Sequence, residues 1–297
     1  MSTQSTAVLL LRSPTASVDS KPDKYISAFS KRNIYAENVP VLEHSFVEVA
    51  RLKELIAIGP RNAFSGVIVT SGRAAEAWSN AVESIDADDA LDSSVWNKTP
   101  FYVVGQKTAD TLMATAPVRP AFYPSPDCVL GAAETGSGEK LASFIIQHLS
   151  NGPDRTSASL LYLTGDKNRD AIQTTLSDAN IAVHPHQVYR TSARVNLAAE
   201  ISDAVSTLPT NTTDIWIAFF APSSAAMALP ALAEVLSLPT LSHSEKRHGP
   251  PSARFAAIGK TTSTYLQEEH VQRFRVDAVA NSPTAEELAH AISNLAS

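Results

Sequence analysis

A single cysteine, Cys128, in 297 residues excludes an internal disulfide and suits a reducing compartment. Basic clusters are also missing. The net charge is −6 and no run of Lys or Arg occurs, so nucleic acid and anionic membranes have no electrostatic footprint here. Long apolar runs are absent. The N-terminal run Ala7 to Leu11 is ended by Arg12, too short for a signal peptide, and no later stretch approaches a membrane span. The expected location is the cytoplasm. Common catalytic signatures are absent as well, with neither a nucleophile elbow nor a metalloprotease helix. "ETGSGEK" (134–140) fails the phosphate-loop spacing, and no hydroxyl residue follows Lys140. "DADDALDSS" (86–94) lacks the glycine and terminal glutamate of a calcium loop. His184 and His186 share one face of an extended segment without a third ligand nearby, so no metal site is expected. Cys128 has no partner that marks a nucleophile.

What remains is a chain that folds. Apolar residues make up 44% and charged residues only 18%, the balance of a globular core and not of a disordered chain. The length suggests two domains. Short, nearly all-apolar runs recur: "AVLLL" (7–11), "GVIVTS" (66–71), "FYVVG" (101–105), "LLYLTG" (160–165), "DIWIAFF" (214–220) and "FAAIG" (255–259). Such runs read as strands covered on both faces, and helix-period segments follow most of them. The expected class is therefore α/β, with two doubly wound parallel-sheet domains.

A weak internal echo supports two domains of similar plan. "VIVTSGRAAEAW" (67–78) resembles "IAFFAPSSAAMAL" (217–229), and "YVVGQKTADTL" (102–112) resembles "AAIGKTTSTYL" (256–266). The second set has only one parallel partner after it, so its sheet is expected to borrow "AVLLLR" from the N-terminus. This makes one discontinuous domain of 1–40 plus 191–297 and an inserted domain of 45–187. Two extended linkers are expected near 38–46 ("NVPVLEHSF") and 183–191 ("VHPHQVYRT"). Tyr189 then lies at a domain crossing, facing a cleft. "LSHSEKRHGPPS" (241–252) reads as a surface loop.

The strand-to-helix turns carry hydroxyls, glycines and cations. They are Thr70-Ser71-Gly72-Arg73, Gly105-Gln106-Lys107-Thr108, Thr164-Gly165-Asp166-Lys167-Asn168-Arg169, Pro222-Ser223-Ser224 and Gly259-Lys260-Thr261-Thr262. In parallel sheets such turns gather at the carboxyl ends of the strands, where helix N-termini offer free N–H groups. Each turn alone is explained as an ordinary helix cap. Together they point to an anion site, suited to a ligand with several carboxylates or phosphates.

The wording of these turns resembles the uroporphyrinogen-III synthase family. The resemblance rests on "VIVTSGRAAEA", "YVVGQKTA", "LTGDKNRDAI", "VYRT", "FFAPSS", "FAAIGKTT" and "SPTAEELAHAI", in that order, with "VLLLR" and "VPVLEHSF" before them. It implies two α/β domains joined by a two-stranded linker and a cyclising lyase without cofactor. The implied substrate is hydroxymethylbilane, a small linear tetrapyrrole bearing eight carboxylates. Loss of its hydroxyl gives an azafulvene, attack at ring D a spiro intermediate, and reclosure uroporphyrinogen III with ring D inverted. By the same resemblance Tyr189 assists departure of the hydroxyl. Substrate contacts fall to Ser71, Arg73, Thr108, Gly165, Arg169, Ser223, Ser224, Lys260, Thr261 and Thr262. Ala221 stands where a serine is common in the family, Lys260 where proline is frequent, and Arg254 matches a basic residue with a structural or long-range role. A monomer is expected, with no nucleic-acid or membrane partner. The alternative is a non-catalytic two-domain module that closes on a polyanionic metabolite.

Overall fold

The computed structural model describes residues 5–14, 22–60, 63–85, 93–150, 158–167, 171–241 and 251–296. The chain divides into two compact units. One is split, Met1–Glu43 with Ser192–Ser297, and the other is continuous, His44–Thr191.

The split unit holds a five-stranded sheet. Its strands are β1 (Ser5–Leu10), β2 (Tyr35–Asn38), β9 (Thr212–Phe219), β10 (Ala253–Ala257) and β11 (Ala278–Val279), in the order β11-β10-β9-β1-β2. All neighbouring pairs are parallel. The unbroken apolar reading of β1 and β9 has a simple cause. Ala7, Leu9, Ile217 and Phe219 belong to one core cluster with residues of α8 (Leu197–Ser206) and α9 (Pro222–Val235). Val8, Leu10, Trp216 and Ala218 belong to another with α1 (Lys24–Ser30) and α11 (Ala285–Ser293). Successive residues point to opposite faces, and both faces are covered. Each such fully buried large side chain contributes roughly 2 kcal/mol of transfer free energy. Arg254 is a structural anchor here. Its guanidinium lies 4.1 Å from the Trp216 ring centroid and donates to Asp214 at 3.3 Å and to the Leu295 carbonyl at 2.9 Å.

The continuous unit carries β4 (Gly66–Val69), β5 (Phe101–Val103), β6 (Val129–Leu130) and β7 (Ser159–Gly165). With β3 (Leu42–Phe46) and β8 (Ala182–Ala193) they make a six-stranded sheet in the order β3-β8-β7-β4-β5-β6. Pairing is parallel from β8 to β6. The β3–β8 ribbon is antiparallel: the Val47 N–H donates to Val188 O and the Arg194 N–H to Val41 O, both at 3.0 Å. One face packs on α2 (Val49–Ile58), α3 (Gly72–Glu83) and α4 (Gln106–Met113). The other packs on α6 (Gly138–Ser150) and α7 (Ala171–Asp178), while the four-residue α5 (Ala132–Thr135) leads into α6. Helix α3 shows why this sequence folds so: Ala74, Ala77, Trp78, Ala81 and Val82 recur at helical spacing and are buried, and Ser71 caps the start.

Both sheets reverse their strand order once. In the split unit the chain runs outward from β1 to β2, then restarts at β9 on the other side of β1 and continues through β10 (followed by the short α10, Lys260–Thr264) to β11. In the continuous unit it runs from β4 to β6 and restarts at β7 on the other side of β4. The two reversals, β1/β9 and β4/β7, are the switch points at which open α/β sheets bind ligands beyond the carboxyl ends of their strands.

Candidate functional site

The β4/β7 switch point is built from the end of each strand. Beyond β4 stands Ser71, with extended backbone (φ −149°), whose Oγ accepts the Ala74 N–H at 3.2 Å and so caps α3. At the end of β7 stands Gly165. Tyr189 comes from the neighbouring strand β8 and reaches across. Its hydroxyl oxygen accepts from Ser71 Oγ at 3.3 Å, and its half-buried ring lies over Gly165. Because Ser71 supplies the proton of that bond, the phenol keeps its own proton for another acceptor.

Around this pair the continuous unit sets a polar fringe. Arg73, in the first turn of α3, is about half exposed and pairs with Glu76 at 3.1 Å. Two residues beyond Tyr189 on the same face of β8, the Thr191 N–H donates to Asp166 Oδ1 at 3.1 Å, and Thr191 Oγ1 lies 3.0 Å from His44 Nδ1. Burial, then the Arg73 cation, holds His44 below the ordinary histidine range, against the pull of Glu76 and Asp166. His44 is therefore a neutral hydrogen-bonding group near pH 7.

The structure thus brings together Ser71, Gly165 and Tyr189, with Arg73 beside them. Thr108 is buried in the first turn of α4, whose cap is Gly105 at φ 76°, a left-handed conformation natural to glycine. Arg169 lies outside the described residues. The remaining expected residues belong to the split unit. Ser223 is exposed in the first turn of α9, while Ser224 is buried and donates from Oγ to Ala221 O at 3.0 Å. Lys260 and Thr261 are exposed at the start of α10, and Thr262 is buried in the same turn.

Three residues of this fringe escape a reading of the sequence: His44, Asp166 and Thr191. Asp166 sits inside a quoted turn and Thr191 at the end of a quoted linker, but neither shows a reason to be singled out. His44 had a signal. Once Val47 is paired with Val188, stepping along the antiparallel ribbon brings His44 opposite Thr191.

Comparison with known proteins decides the family. The model of "Uroporphyrinogen-III synthase HemD" matches residues 23–289. The chain belongs to the uroporphyrinogen-III synthase family. The family is one of cyclising lyases in tetrapyrrole biosynthesis, acting on a small-molecule tetrapyrrole. Over 272 residues the chain is 28% identical to a uroporphyrinogen-III synthase of Schizosaccharomyces pombe, covering 91% of each chain. Among solved structures it is similar to uroporphyrinogen-III synthetase of Helicobacter pylori, at 17% identity, 98% and 99% coverage and a TM-score of 0.48. A mutant uroporphyrinogen III synthase of Thermus thermophilus is 15% identical, with 98% coverage of both chains and a TM-score of 0.43. No helix among the described residues is long and apolar enough to cross a membrane.

Proposed function

We propose that this chain cyclises hydroxymethylbilane to uroporphyrinogen III with inversion of ring D and loss of water, and that Tyr189 is the group that helps the hydroxyl leave. The observation that carries the assignment of Tyr189 is its placement. A phenol is held at the β4/β7 switch point with its own proton unspent, because Ser71 donates to it.

In this reading the phenol gives its proton to the departing hydroxyl, which leaves as water and generates the azafulvene. Ring D attacks through its substituted carbon, the spiro intermediate fragments, and reclosure releases a hydrogen from the ring carbon. That proton restores the phenol, so the balance closes as loss of one water. The folding of the flexible chain is the larger task, because it selects which carbon of ring D attacks. The carboxylates are taken by exposed groups at helix starts: Arg73 in the continuous unit, and Ser223, Lys260 and Thr261 in the split unit. Thr108, Ser224 and Thr262 are buried at the starts of α4, α9 and α10, where Ser224 donates to the Ala221 carbonyl. Arg169 completes the proposed set. We place the enzyme in the cytoplasm as a monomer, with neither nucleic acid nor a membrane as partner.

The test is an isomer assay. Hydroxymethylbilane is generated in situ, products are oxidised, and type I and type III porphyrins are resolved chromatographically. The chain is expected to yield predominantly type III, and Tyr189→Phe to lower turnover about ten- to a hundredfold. Type I alone, at the rate of the protein-free control, would sink the activity. Full turnover in Tyr189→Phe would remove the tyrosine's role and leave the activity standing.

A further inference from the structure

The pairing of β7 with β8 contains an irregularity at the site. It runs in step from Ser159 opposite Ala182 to Thr164 opposite Gln187, then jumps to Gly165 opposite Tyr189. Val188 is the extra residue. Its side chain is fully buried in the core beneath α2, α3 and α4, so the bulge is anchored. Without it, Gly165 would stand opposite Val188, and Tyr189 would lie one residue further along.

The bulge sets the Tyr189 ring down on Gly165. A Cβ at position 165 would overlap Tyr189 Cζ and come within 2.6 Å of Cε2 and 2.7 Å of the hydroxyl oxygen. At Gly66, Gly131 and Gly138 the closest approach is 2.8 to 2.9 Å. The φ of Gly165 is not among the left-handed values, so the need for glycine is space and not backbone conformation. Beyond the bulge the strand is tied down by the next residue of β7's turn, since Asp166 Oδ1 accepts the Thr191 N–H at 3.1 Å.

We propose that Gly165 and Asp166 are positioning residues for the ring-closing reaction: the bare backbone of Gly165 seats the Tyr189 ring, and the Asp166 carboxylate holds the strand that carries it. This rests on the reading of Tyr189 as the group that assists the leaving hydroxyl. It reassigns Gly165, matched by resemblance to a substrate contact, to a role exerted through the tyrosine. A phenol displaced by an added methyl loses its bond to Ser71 and its alignment, and misplacement of about 1 Å costs up to roughly a hundredfold in rate.

A double-mutant cycle tests this in the full chain. Gly165→Ala and Asp166→Ala are each made alone and in the Tyr189→Phe background, and kcat, KM, the type III fraction and thermal unfolding are measured for all. With Tyr189 present, Gly165→Ala is expected to lower kcat about tenfold or more, and Asp166→Ala by a smaller factor, at little change in KM. With Phe at 189 both losses are expected to shrink to within about twofold, because the group they position is gone. Asp166→Asn, whose amide oxygen accepts the same N–H, is expected to restore most of the Asp166→Ala loss. Losses that persist undiminished in the Tyr189→Phe background, or a wild-type kcat in both single variants, would overturn the proposal while Tyr189 keeps its role. If Tyr189→Phe alone turns over normally, the reading of the tyrosine fails and the positioning proposal falls with it. Should Gly165→Ala fail to fold, the exposed Asp166 decides: a loss in Asp166→Ala that Asn does not rescue counts against the proposal.

Discussion

The two units reverse strand order in the same way and finish the reversal with opposite chemistry. Just beyond β1 stands Arg12, which pairs with Asp23 at 2.8 Å and donates to Asn38 at 3.0 Å. The rings of Tyr25 and Phe220 flank the guanidinium at 4.7 and 5.6 Å. Asp23 in turn caps α1 by accepting the Tyr25 and Ile26 N–H groups. Around Arg12, charge, acceptors and aromatic faces are matched within the unit, so this residue serves as a structural joint. At β4/β7 a half-buried phenol, which cannot balance a charge, lies on a glycine, its oxygen already accepting one bond and its proton available. The lesson is that a switch point only offers a crevice. What stands at the strand ends decides whether it is sealed or used.

The comparison is broken most forcefully by Arg12→Ala. Removing the cation takes the ion pair from Asp23, 7% exposed, and the expected loss of stability is roughly 3 kcal/mol, the low end for a broken buried pair. Tyr189→Phe is expected to cost under about 1 kcal/mol of stability, against the large effect on turnover proposed for it. Urea unfolding of both variants checks this. Equal losses would mean that the two switch points do not divide into a joint and a site.

A smaller effect sharpens the same distinction. Ser71→Ala deletes the α3 cap and the bond to the phenol together, with about 1 kcal/mol of stability lost and turnover lowered severalfold. Ser71→Asn keeps a capping acceptor, so stability should return while turnover stays low. If Asn restores both, Ser71 serves only the helix.

How much of this was legible follows from which interactions are local. The runs 67–69, 101–103, 160–163 and 215–219 are apolar throughout because helices cover both faces, and that reads directly from the chain. The parallel α/β class and the insertion of β1 beside β9 follow from the same pattern. The edge strands β6 and β11, two residues each, are too short to leave a period, and the π-helical turn Tyr265–Glu269 is set by packing. At the site, Ser71 was visible in a recognisable turn and Tyr189 in an extended linker. The bulge at Val188 was not, since an extra β-branched residue looks like more strand. Nor was the demand for glycine at 165, which comes from a ring 24 positions later. Arg169 and most of the 241–252 loop fall outside the described residues.

The smallest expected effect concerns the β3–β8 ribbon beside the site, where His44 and His186 both lie. Burial is the first cause that lowers each. For His44 the Arg73 cation adds to it, while Glu76 and Asp166 oppose; for His186 Glu48 opposes and Arg51 adds. At His186 burial outweighs both the charge of Glu48 and a backbone hydrogen bond at Glu48 that favour the protonated ring. As pH falls below about 6.5 the unfolded chain therefore binds more protons than the folded one. Stability must then drop with acidification, until the pH passes below the folded-state values and the loss is complete. Unfolding free energies from urea titrations at pH 7.5 and 5.5 are expected to fall on the acid side. The double variant His44→Gln, His186→Gln is expected to show a shallower fall. An undiminished fall in that variant would move the cause of acid sensitivity away from the ribbon. A shallower one would place the acid-labile part of the protein on the strands that present the tyrosine, and not at the Arg12–Asp23 pair.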